Sequence, residues 1–114
     1  MTIEKVDVVD YAGVETATGK MILSMVDHLG WEDVLEHLLI LQEKINRYVA
    51  FIESGEIIES CPSSQGRDVV IAILTLFPLS DDDRVSEFMR QVRSMLDGVG
   101  VELRVTMLRE GELS

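Results

Sequence analysis

Apolar residues recur along this chain with two different periods, and the switches between them mark out its elements. Ile3 to Tyr11 mixes Val and Ile with acids in rough alternation, which predicts a first strand. Gly13, Thr16, Thr18 and Gly19 give residues 12–20 the chemistry of a turn. Met21 to Val26 reads as a second strand, and two strands with a short polar link favour a hairpin. From Trp31 the period becomes helical. Val34, Leu38, Leu41, Ile45, Tyr48 and Ile52 follow three- and four-residue steps, with Leu35, Leu39 and Val49 widening the stripe. Glu32 and Asp33 fall in the expected first turn, where carboxylates complement the positive end of the helix dipole, and Gly55 is placed to cap the other end. At about 23 residues and 1.5 Å per residue this helix would run roughly 35 Å.

Beyond Gly55 the pattern is less regular. Glu56 to Ser60 reads either as a short edge strand through Ile57 and Ile58 or as a segment wrapping back beneath the helix. Pro62 to Gly66 reads as a loop, and Val69 to Phe77 as a central strand, nearly continuous in apolar residues and ended by Pro78. Ser80 followed by Asp81, Asp82 and Asp83 is a helix start. Val85, Phe88, Met89, Val92 and Leu96 supply that helix's buried stripe, and Gly98 and Gly100 stop it. Val101 to Met107 alternates cleanly and predicts a half-exposed strand. The order ββαβαβ places the chain in the α+β class. It predicts a two-layer sandwich with two helices on one face of a mainly antiparallel or mixed four-stranded sheet, as one domain over residues 1–114.

Composition supports a folded core. Of the 114 residues 46% are hydrophobic, so global disorder is excluded, but only 5% are aromatic, so Leu, Ile, Val and Met must fill the interior. The formal charge of −11 is concentrated in residues 1–60, which hold 12 acids against 4 bases. Such a field repels phosphate backbones and anionic lipid, so neither nucleic acid nor a membrane surface is expected as a partner, and the acidity serves either simple solubility or a basic protein partner. Cys61 is the single cysteine and leaves no intramolecular disulfide to form. The chain shows no signal-peptide pattern, and its longest apolar stretch is far short of a membrane span, so a reducing cytoplasm is the expected location.

Candidate chemistry is sparse. His28 and His37 invite a metal reading, but Glu36 and His37 are adjacent and point about 100° apart on a helix, so they do not share an ion. His28 with Glu32 or Asp33 gathers too few ligands, and no metal or other cofactor is expected. Cys61 has no base placed beside it by the sequence. There is no phosphate-binding glycine loop and no nucleophile elbow. Arg90 and Arg93 are spaced to pair with Glu87 and Asp97. In the long helix the run from Gln42 to Tyr48 sets Asn46 and Tyr48 around the apolar stripe, either as a solvated face or as a recognition surface.

That helix also carries a resemblance. His37-Leu38-Leu39-Ile40-Leu41-Gln42-Glu43-Lys44-Ile45-Asn46-Arg47-Tyr48, continuing to Phe51-Ile52-Glu53-Ser54-Gly55, resembles a family of small bacterial proteins known only as a domain of unknown function. Asp27 to Trp31 and the strand from Arg67 to Phe77 are similar as well, and the likeness extends from about Val6 to Leu108. It implies a bacterial origin and a stand-alone domain, and carries no activity, cofactor or catalytic residue.

The expected function is non-catalytic binding of a protein partner, as an immunity-type inhibitor or an acidic chaperone. Glu53, Glu56 and Glu59 would then offer carboxylates to a basic surface. The competing expectation is a small ligand-binding domain or enzyme with a pocket between sheet and helices, where His28, His37 and Tyr48 would meet. A homodimer through a sheet edge or the long helix is a third.

Overall fold

A computed structural model describes residues 11–108. Strands β1 (Tyr11–Val14) and β2 (Met21–Asp27) precede helix α1 (Val34–Glu53) and the short helix α2 (Glu56–Ser60). After a 3-10 turn at Pro62–Ser64 come β3 (Val69–Thr75), α3 (Asp83–Gly98) and β4 (Val101–Met107). The strand expected over Ile3 to Tyr11 lies outside the described residues except for Tyr11, and β1 runs on into the segment read as turn.

The sheet is mixed, in the order β1-β2-β3-β4. β1 and β2 form the antiparallel hairpin, while β2–β3 and β3–β4 are parallel. The parallel pairs follow from chain length. A helix running back past its strand returns the chain to the strand's starting end, so the next strand must run the same way. Crossovers between adjacent parallel strands are right-handed, which sends both long helices to the same face. Met21, Leu23 and Met25 of β2, Ile71 and Ile73 of β3, and Val101 and Leu103 of β4 accordingly share one core with Leu41, Ile45 and Tyr48 of α1 and Met89, Val92 and Leu96 of α3.

Three boundaries differ from the sequence pattern. Asp33 lies outside α1 as its N-cap, accepting a hydrogen bond from the Glu36 amide at 3.1 Å. Asp82 caps α3 in place of Ser80, whose hydroxyl instead accepts from the Asp82 amide. Glu56 to Ser60 is a helix, which removes the edge-strand alternative. Gly55 sits at φ +86°, a left-handed conformation that costs glycine nothing, and turns the chain straight from α1 into α2. Ile57 is then buried while Ile58 faces solvent, and Glu56 and Glu59 fall in the first turn, where the dipole favours them.

On the sheet face away from the helices, a chain of ion pairs links the strands. Lys20 reaches Glu102 at 2.8 Å, Glu102 reaches Arg104 at 2.6 Å, and Arg104 reaches Glu15 at 3.0 Å. Glu15 and Lys20 lie in the β1–β2 link and the other two in β4, so the chain of charges spans β3. The Lys20 ammonium and the Arg104 guanidinium hold the Glu102 carboxyl at about 2, and Thr18 with Arg104 holds Glu15 below its ordinary value. Groups lowered on folding stabilise the protein above their unfolded values, and that contribution is lost as pH falls through the folded ones. Acid titration of the wild type should therefore show stability falling between about pH 4.5 and about pH 2. Glu102→Gln should flatten that part of the curve, and an unchanged slope in urea unfolding across this range would refute the assignment.

Candidate functional site

The C-terminal ends of β2 and β3 carry the most constrained polar cluster in the described chain. Alternation along β2 puts Asp27 in phase with Met21, Leu23 and Met25, so its carboxylate points into the helix layer, where it is buried. The loop from His28 to Asp33 then turns the chain, and α1 brings His37 back over the strand end. His37 Nε2 lies 2.6 Å from Asp27 Oδ2, both side chains being only 2% exposed. His37 Nδ1 lies 2.9 Å from the Gly30 carbonyl oxygen. A carbonyl only accepts, so Nδ1 carries a hydrogen, and the Nε2–Oδ2 contact holds one further proton between its two atoms. Asp27 Oδ1 accepts from the Leu29 amide at 3.1 Å. Trp31 stacks on the His37 ring with centroids 3.8 Å apart, and its indole N–H donates to the Pro78 carbonyl at 3.0 Å. The cluster thus pins strand end, loop and helix start together. With both ring nitrogens engaged internally, His37 presents no free base to a substrate.

Beside it lies a cleft of about 250 Å³ lined by Leu29, Gly30, Glu32, Asp33, Glu36, His37 and Ile40. Among the described residues no group of three or more His, Cys, Asp or Glu is arranged to hold a metal ion. His28 and Tyr48 are not in the lining of this cleft. Tyr48 is fully buried further along α1, where its hydroxyl donates to the Ser24 carbonyl at 2.6 Å, and Lys44 Nζ lies 5.6 Å from its ring centroid. The structure therefore does not gather His28, His37 and Tyr48 into one pocket.

The remaining candidates lie on the surface. Glu53 and Glu59 are exposed at the α1–α2 corner, and Glu56 is held by Arg47 at 3.2 Å. Asn46 lines a groove between α1 and α3. This groove comprises two adjoining clefts of about 260 and 380 Å³ that share Phe88 and Gln91. Its α1 wall is continued outward by Leu35 and Leu39, exposed by 57% and 61%. On α3, Glu87 pairs with Arg90 as its spacing implies. Arg93 does not follow the pairing with Asp97 that its spacing suggests: its guanidinium donates to the Leu103 carbonyl on the outer edge of β4 at 2.9 Å.

Two features escaped the sequence pattern. The Asp27–His37 pair was legible in principle, since an acid in phase with a strand's core positions needs a buried partner. Lys44 interrupts the buried face of α1 three residues after Leu41, and it too is fully buried.

The fold and this geometry define an α+β domain of four mixed strands under two long helices, with a structural Asp–His pair and an open groove on its helical layer. The chain belongs to a family of unknown function, DUF6572, whose family model matches residues 1–109. No curated protein and no solved structure matches it. No helix among the described residues is long and apolar enough to cross a membrane.

Proposed function

We propose that this protein is a non-catalytic module that acts in the bacterial cytoplasm by binding a basic protein partner. The observation that supports this most is the exposure of Leu35, Leu39 and Met95 along a groove in a chain of net charge −11. Exposed apolar side chains gathered beside a groove mark a place where another surface docks. The acids, Glu53 and Glu59 among them, supply a field that accelerates encounter with a cationic partner and sets the salt dependence of capture. The engaged nitrogens of His37 weigh against a catalytic role for that residue. An immunity-type inhibitor and an acidic chaperone are the two forms this function takes, separated by whether the partner is inactivated or kept competent.

Capture of partners from the host lysate on the tagged protein tests the function. One basic protein should be retained at low salt and released at high salt. A bait that stays clean at low salt would end the proposal.

A further inference from the structure

Building on the binding function, we infer that the groove between α1 and α3 receives an amphipathic helix of the partner, with basic residues along the flank that lies over α1. Leu35, Leu39, Gln42 and Asn46 recur at i, i+4, i+7 and i+11 and so share one face of α1, on which Gln42 and Asn46 line the groove and Leu35 and Leu39 stand exposed at its margin. Arg84, Phe88, Gln91 and Met95 repeat the same spacing on α3 and form the facing wall. Ile45 and Val92 close the floor between them. Eleven residues of helix give walls of roughly 17 Å, a length that matches three turns of a bound helix. The walls offer apolar contact together with three side-chain amides, Gln42, Asn46 and Gln91, a surface suited to a helix presenting anchors at i, i+4 and i+7.

The rims decide the charge of the occupant. Beyond the α1 wall, Glu36 and Glu43 are exposed one heptad apart, and neither takes part in an ion pair among the described residues. On the α3 side Arg84 of the wall pairs with Asp82 at 2.9 Å, and Arg90 pairs with Glu87, which also accepts from Gln91, while Asp83, exposed in the lining of the wider cleft, has no ion pair among the described residues. The α1 rim is therefore an open anionic edge, and the α3 side is largely paired apart from Asp83. A helix seated between them gains most from Lys or Arg over α1, where Glu36 and Glu43 stand. A second copy of this chain would bring a net −11 against −11, which disfavours it as the occupant.

The test uses synthetic amphipathic helices of about 15 residues. One carries leucines at i, i+4, i+7 and i+11 with lysines along one flank, and the other has those lysines replaced by glutamates. Each is titrated into the isotopically labelled protein. The lysine peptide should shift the side-chain amide signals of Gln42, Asn46 and Gln91, and the glutamate peptide should leave them in place. Leu39→Asp, at a position 61% exposed on that face of α1, should weaken binding at least about tenfold, as loss of an apolar anchor does. Glu36→Gln with Glu43→Gln should weaken it about three- to tenfold at low salt and little at high salt. Asp68→Asn with Asp97→Asn removes the same charge elsewhere and should change affinity less than about twofold.

Equal binding of both peptides, shifts confined to the Glu53–Glu59 corner, or a Leu39→Asp variant that binds as well as wild type would overturn the inference. So would a free protein that sediments as a dimer and becomes monomeric on Leu39→Asp, because the occupant would then be a second copy. A partner captured from lysate equally by wild type and Leu39→Asp would refute the groove and leave the binding function standing.

Discussion

Asp27→Ala is expected to cost about 3–5 kcal/mol in urea unfolding, the penalty for leaving one member of a buried pair without the other. His37→Ala should cost about as much, since it strands the Asp27 carboxylate and also removes the ring on which Trp31 stacks. Asp27→Asn should behave differently. The Asn carbonyl can accept from Leu29, as Oδ1 does now, and its amide can donate to Nε2 of a neutral His37 whose Nδ1–H still faces Gly30. Every polar atom keeps a partner, so the loss should stay within about 1 kcal/mol. Nitrogen NMR of the Asn variant should show the Nδ1–H tautomer. A loss as large for Asn as for Ala would mean that the negative charge itself, and not the hydrogen-bond pattern, holds this corner together.

The second large effect is expected at Tyr48. Its ring is fully buried between α1 and β2, and truncation to Ala should cost about 3–5 kcal/mol through lost burial and the cavity left behind. Tyr48→Phe keeps the ring and removes the hydroxyl that donates to Ser24, and should cost about 1–2 kcal/mol. Equal losses for the two variants would show that the hydroxyl, and not the ring, carries the contribution. Tyr48 thus acts in the fold, and its place in a mixed polar run obscured that role.

The elements with one dominant period were legible from sequence. β4 was expected at Val101 to Met107 and is found there, because strict alternation between a core and a charged face admits one register. The course of α1 was legible through its stripe, though it holds 20 residues where about 23 were expected. Its start was not, because Asp33 serves equally as a first-turn acid or as an N-cap, and only the Glu36 amide distinguishes the two. α2 was hidden by Ile57 and Ile58, whose β-branched side chains suggest a strand. The left-handed Gly55 and the burial of Ile57 alone under the core decide for a helix.

The candidate site was harder to see because it depends on contacts between distant elements. Asp27 and His37 are ten residues apart and meet only because α1 folds back over the end of β2. Asn46, which the sequence sets beside the apolar stripe of α1, does line the groove. Phe88, Gln91 and Met95, which face it, lie on the other long helix, and sequence does not reveal which helix stripes become neighbours.

The most direct measurement is capture from the host lysate with wild type and Leu39→Asp as paired baits, each washed at low and then high salt. A basic partner held by wild type at low salt, released at high salt and missing from Leu39→Asp is the expected result. Two clean baits would contradict the claim that this protein works by binding a basic partner.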